Sequence, residues 1–479
     1  MRRFFPLWLL VMLLTKATSA QDNHYEYMKM GSRNSILANA GLARFEDQSA
    51  VIFNPATLSF ANQSSFSFNT TAVGYSNINF QNGLGQGFDI KYGNLNILPN
   101  MAAGVLKPKK DKKDFVLGYS IYHPINDRLR FTDRNQYQEN VVNDAESPGL
   151  ENYLAQLNIS HDVDEVTAIL GIGWNISEHV ALGVSQSFTY RSEEYLNSFT
   201  ASAVPVNSQT SSVDFVSFQN SFYTRYYKVM AITKLGLAMQ LGKWDIGVTA
   251  HLPSLGIMGS GEVMAQGTFY NVHPEGDLSK PRQSLIASGR AEKQKATYKK
   301  SMALGVGVSR PFRNVRLYGA INAYSGVRNY NIMDPGGADY AQPPNNIGTD
   351  PSFMRVLAGN QTVINGSFGV DWNHEGNKHW LFSFHSDKYF ADIDKNYKGH
   401  YLTIKNWDNY HLAIGKQRSF GNSDWVIGMR YSFAKKTNAT QPYSFDDPTE
   451  ENYLQGKRQT GTVIATSIQL MLSYAFRFR

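Results

Sequence analysis

No cysteine occurs among the 479 residues. That excludes a disulfide framework, thiolate metal ligands and a lipid-modified N-terminal cysteine. It suits an exported protein that avoids thiols in an oxidising compartment. Long apolar runs are missing too: after residue 20 no stretch approaches the roughly 20 residues that a membrane helix needs. Charge is sparse at 18% of residues, and the net +7 is scattered. No basic stripe interleaved with aromatics appears, which argues against nucleic acid as a partner. His374, His379 and His385 are irregularly spaced, no His-x-x-x-His pair exists, and no Ser/His/acid set or carboxylate pair stands out. The reading is therefore of a protein that is not an enzyme and uses neither metal nor cofactor.

What is present is a rhythm. Runs that alternate apolar and polar residues are joined by connections that are short at 107–114, 175–179, 242–243, 310–314, 373–378 and 419–423. Between these lie long polar stretches at 124–160, 254–295 and 326–360. Turns on one side and long loops on the other are the signature of an up-and-down outer-membrane barrel, whose strands show lipid only every second residue and so escape average hydropathy. Mean hydropathy is −0.36. Leu237, Met239 and Leu241 run into Gly242-Lys243, and Trp244, Ile246 and Val248 run out, which reads as a hairpin. Six such hairpins, a first strand near Ser65–Gly74 and a last strand ending at Arg479 predict a 14-stranded antiparallel β-barrel.

The last strand alternates most strictly, with Ile468, Leu470, Leu472, Tyr474, Phe476 and Phe478 on one face. Its aromatic end resembles the C-terminal strand by which barrel-assembly machinery recognises its clients. Trp174, Trp244, Trp372, Trp380 and Trp425 all lie beside short turns on the apolar face, as an interface girdle requires. Asp245, Thr249, His251, His385, Asp387, His411 and Arg430 fall on the opposite face, toward a lumen.

The two ends of the chain differ from its body. Arg2-Arg3, the apolar stretch Phe4–Leu14 and Thr18-Ser19-Ala20 read as a signal peptide over residues 1–20. Residues 21–62 are rich in small side chains and are not barrel-like. The ordered set Gly31, Arg33, Gly41, Asp47, Ser49, Ala50, Asn54, Pro55, Ala56 and Leu58 resembles the N-terminal hatch of the FadL-type long-chain fatty acid transporter family. The departure is at Ile36–Asn39, where that family more often carries glycines.

The resemblance implies an all-β membrane protein of the outer membrane of a Gram-negative bacterium. Residues 21–62 would plug the lumen of a barrel formed by 63–479. Its ligand would be a long-chain fatty acid or another hydrophobic compound, captured by outer loops and released sideways through a gap at a kinked third strand. Here that strand reads as Phe115–His123, with His123 and Pro124 as gate candidates at its end, since proline cannot donate to a ladder. Asn54 would join hatch to wall and Pro55 would stiffen the turn. Arg128 and Arg130, with Arg134, are candidates for a ligand carboxylate or for a lipopolysaccharide-facing patch. Leu255, Ile257, Met258, Val263 and Met264 could form a capture surface in the loop at 254–295. A monomer is expected. Two alternatives stay open: a FadL-like scaffold of a protein secretion system, and a general porin.

Overall fold

The computed structural model describes residues 24–25, 30–37, 39–108, 115–142, 144–273, 279, 281–336, 340–341, 351–374, 376–393, 398–402 and 404–478. The expected signal peptide lies outside them. Fourteen antiparallel wall strands close on themselves. They are β1 (Ser65–Gln81), β2 (Ile90–Leu106), β3 (Phe115–Glu139), β4 (Glu151–Ser177), β5 (Val180–Pro205) and β6 (Val216–Leu241). Next come β7 (Trp244–His251, resuming as Leu255–Val272) and β8 (Gln283–Lys295, resuming as Ala303–Phe312). The wall ends with β9 (Val315–Tyr324), β10 (Val363–Asn373), β11 (Lys378–Asp387), β12 (Asn409–Phe420), β13 (Ser423–Thr440) and β14 (Thr460–Arg477). β14 pairs with β1, so the sheet has no outer edge there.

Alternation fixes which side each residue takes. On β13, Trp425, Ile427, Met429, Tyr431 and Phe433 point outward and are 37–56% exposed, while Val426 and Arg430 are buried inward. Trp425 and Phe433 are eight residues apart, about 26 Å of strand, comparable to the ~25 Å apolar band of such barrels. Beside the short turns Arg310 stacks on Trp244 at 4.8 Å and Lys416 on Trp380 at 5.1 Å. Cations on aromatic faces suit the headgroup level, where both are wetted.

The strands differ from their expected lengths, and the reason lies outside the apolar band. On β5 the outward face changes from Phe188 and Tyr190 to Ser192 and Glu194, yet the strand continues to Pro205. Above the bilayer its outer face meets water, so polar residues there look like loop. The same explains β3 and β4, which absorb most of the expected loop at 124–160. The expected loop at 254–295 is the outer arm of β7 and part of β8. Leu255, Ile257 and Met258 are exposed on that arm and Val263 is buried.

The remaining long connections fold inward. Val327–Met333, Val356–Asn360 and His400–Tyr401 form a small separate sheet. Its Ile332, Met333, Val356 and Ala358 pack on Phe222, Tyr226 and Met230 of β6 and Val263 of β7, all inward-facing. Every residue of Val356–Asn360 is buried, because this strand has cover on both faces.

Candidate functional site: a filled lumen and an incomplete seam

The N-terminal segment builds the floor of the site. Gly31 takes φ 98°, and the turns on either side of Asp47 are gathered by its carboxylate. That group accepts from the Arg33 amide at 2.7 Å, the Asn34 amide at 2.9 Å and the Ser49 amide at 2.9 Å. The Ser49 hydroxyl donates to it as well. A carboxylate collecting backbone donors stabilises turns that have too few helical bonds of their own. Asn54 opens a 3-10 turn over Pro55–Phe60 by accepting from the Ala56 amide at 3.1 Å. Its amide group donates to Leu42 O at 2.7 Å and to Leu237 O of β6 at 3.1 Å.

The segment touches wall strands on all sides, which puts it in the lumen. Arg33 Nη1 donates to Gln417 of β12 at 2.7 Å, Nη2 pairs with Asp371 of β10, and Nε faces Glu46 at 3.0 Å. Burial alone would lower the pKa of that guanidinium; Glu46 and Asp371 outweigh it, so the value stands above the ordinary one. Arg430 of β13 donates to Ser35 O at 2.8 Å, and Lys234 of β6 donates to Ile52 O. Wall glycines form its seat. A Cβ at Gly247 would lie 1.5 Å from Leu42 O, at Gly236 2.2 Å from Asn54 Oδ1, at Gly183 2.3 Å from Ala56 N, and at Gly428 2.2 Å from Ile36 Cδ1. These glycines are legible in the sequence as lumen-side positions near short turns, a signal that apolar–polar alternation alone does not use.

Above this floor is a cavity of about 200 Å³. Leu42, Ile52 and Phe53 form its base, and Ile169, Ile232 and Pro124 line its side. Lys300 reaches in from the break in β8 and pairs with Glu165 at 2.5 Å.

The wall is incomplete beside that cavity. β2 and β3 pair only from Met101↔Tyr122 to Leu106↔Leu117. Beyond Met101, β2 pairs with β1 alone; beyond Tyr122, β3 pairs with β4 alone. Pro124 does not end β3. It sits in a one-residue bulge between Tyr122↔Thr167 and Ile125↔Glu165, and the strand runs on to Glu139. Pro99 holds the matching position on β2, two residues past the last pair, and the sequence pattern does not flag it. The two edges diverge between two prolines, neither of which can donate to a ladder. Leu95 on the open edge pairs with Tyr75, which pairs with Ile468, which pairs with Tyr431. The gap therefore stands within the outward apolar band, where Leu95 is 66% and Ile97 72% exposed. Among the described residues one hydrogen bond spans it: the Tyr92 hydroxyl donates to Arg128 O.

The other candidates sit as follows. His123 adjoins the bulge, 3.9 Å from Asp164. Arg128, Arg130 and Arg134 are exposed on β3 rather than in a loop, and Arg130 pairs with Asp162 at 2.5 Å. Among the described residues no helix is long and apolar enough to cross a membrane. Asp144, Glu146 and His273 lie close enough for a metal, but Arg282 pairs with both carboxylates and with Glu450.

A closed barrel with a filled lumen and an incomplete seam between β2 and β3 defines the class. Its fold is that of the FadL-type barrels. A FadL homologue from Pseudomonas aeruginosa superposes with TM-score 0.55 at 12% identity, covering 97% of this chain and 100% of that one. The toluene transporter TodX from P. putida gives 0.54 at 12% identity over 95% and 99% of the two chains. The toluene transporter TbuX from Ralstonia pickettii gives 0.50 at 13% identity over 95% and 100%. No family model matches the chain and no curated protein matches it.

Proposed function

We propose that this chain is an outer-membrane uptake channel of a Gram-negative bacterium for hydrophobic small molecules, which leave its lumen sideways between β2 and β3. The observation that carries the reading is the incomplete seam at lipid depth, next to a cavity whose floor is closed. Similarity of fold to toluene transporters and to a FadL homologue supports it. Residues 21–62 act as the hatch, with Arg33, Asp47, Ser49, Asn54, Pro55 and Ala56 as its fastenings and Gly31 as its first turn. His123 and Pro124 shape the gate. Arg128 stands at the gate rim, where a fatty acid carboxylate would pass. Arg130 and Arg134, outside the wall, face lipopolysaccharide. The chain works as a monomer delivered by barrel-assembly machinery.

Lateral release has a physical rationale. Each methylene sent through a wet periplasm would cost roughly 0.8 kcal/mol of lost burial, whereas exit through the wall keeps the solute in hydrocarbon. Deleting Pro124 removes the extra residue and returns β3 to register with β4. In cells that depend on this protein for a hydrophobic carbon source, uptake through the deletion variant should fall at least ten-fold, with heat-modifiable gel migration unchanged. Unchanged uptake removes the lateral route. Uptake by the natural chain no greater than by cells lacking it removes the transport reading and favours a secretion scaffold.

A further inference from the structure

The outward face of β10–β13 carries a groove of about 400 Å³. Phe382, Phe384, Leu412, Ile414, Met429 and Tyr431 stand around it. Its floor is the directly paired Ser383 and Ala413, whose side chains point into the barrel and leave low ground outside. Lipid covers the whole apolar band of such a barrel, so the groove alone names no occupant. What stands at its lower end does.

The outward residues of β12 change from apolar to basic in one step: Leu412, Ile414, then Lys416 and Arg418. Ile414 pairs with Phe382 in the groove, and in the next row Lys416 pairs with Trp380. That row lies toward the short turn at 419–423, hence toward the periplasm. Lys416 Nζ rests 5.1 Å from the Trp380 ring centre, and the Arg418 guanidinium rests 4.5 Å from that of Phe420. Aromatic faces therefore hold both cations in place. The carboxylates on neighbouring strands are engaged elsewhere: Asp371 with Arg33 and His379, Asp424 with Arg477. Among the described residues no carboxylate pairs with Lys416 or Arg418. At the same level β8 carries a single outward cation, Arg310.

Residues two apart on a strand are separated by about 7 Å, a distance that one phosphate bridges with a contact on each side. The planar fork of Arg418 suits two phosphate oxygens, and Lys416 adds a point charge. A zwitterionic head would bring a cation of its own to a patch with no carboxylate to receive it. Tails joined to an anionic head satisfy both features at once, since the groove begins where the cations end.

We propose that this face of the wall binds an anionic phospholipid of the periplasmic leaflet. Its phosphate sits on Lys416 and Arg418, and one acyl chain lies in the groove past Ile414 toward Leu412 and Tyr431. The proposal rests on the outer-membrane reading above but not on the lateral exit.

The test uses the full chain in mild detergent, examined by native mass spectrometry with equal amounts of dioleoylphosphatidylglycerol and dioleoylphosphatidylcholine, which share their tails. Adducts of one glycerol lipid should exceed those of the choline lipid at least five-fold. Lys416→Gln with Arg418→Gln should remove that excess, and Arg310→Gln should leave it intact. Dihexanoylphosphatidylglycerol, with the same head on short tails, should be retained at least five-fold less than the dioleoyl form. Heat-modifiable migration reports that each variant has folded. Equal adducts of the two dioleoyl lipids overturn the proposal and leave the uptake reading standing. An excess that survives the double substitution, or that Arg310→Gln removes as fully, overturns it too, because the lipid then follows the charge of the whole girdle. Equal retention of the short-tailed lipid overturns the part assigned to the groove.

Discussion

The seam between β13 and β14 runs unbroken from Ser423↔Phe476 to Lys436↔Val463, whereas that between β2 and β3 stops after six pairs. Both are built from antiparallel strands of good β-forming sequence, so strand propensity does not distinguish them. The difference lies in what occupies the edge. On β14 every residue from Val463 to Phe476 can offer its amide, and the outward side chains are apolar throughout the bilayer. On β2 the edge carries Pro99, and the side-chain amide of Asn100 beside it donates to Asn69 and to Thr71 of β1, each at 3.0 Å. A barrel wall is thus interrupted beside a proline on each edge, and nothing about the hydrophobic pattern need change.

Moving the device from one seam to the other should break the comparison most severely. Ile427→Pro on β13 removes a donor opposite Leu472 in a strand paired on both sides. Correctly assembled barrel should fall below a tenth of the natural level, as read by heat-modifiable migration in membranes. The reverse change restores donors to the open seam. Pro99→Val with Pro124→Val should slow amide hydrogen exchange around 94–98 and 125–129 and lower hydrophobe uptake about five-fold. Unchanged exchange would mean that the amide bonding of β2, and not its proline, keeps the gap. The smallest effect is expected from Tyr92→Phe, which deletes the clasp across the gap. With one hydrogen bond worth about 1 kcal/mol, uptake should rise by a factor of two to five, and a fall in uptake would show that Tyr92 lines the path rather than latching it.

Much of this architecture is legible in the residues alone. Strict alternation at Ile468–Phe478, the tryptophans beside short turns and the Gly242-Lys243 hairpin depend on nearest-neighbour geometry and one solvent boundary, so they survive into the fold unchanged. The arms of β3–β6 beyond the bilayer are hidden because water replaces lipid on their outer face and the pattern inverts to polar. The inner sheet is hidden for the opposite reason: Val356–Asn360 is covered on both faces and has no alternation to show. Pro124 signals the gap from one side, but a proline marks a strand end as readily as a bulge, and only pairing distinguishes them. Pro99 looks ordinary because its significance is a relation to Pro124 across space.

The glycine seat also bears on the order of assembly. Gly183, Gly236, Gly247 and Gly428 meet the N-terminal segment more closely than a methyl group would allow, and the wall around it is completed only when β14 reaches β1. A body fitted that tightly cannot be threaded in through a finished cylinder. The segment that fills the lumen must be wrapped by the strands around it, and so serves as the mandrel on which the cylinder is wound.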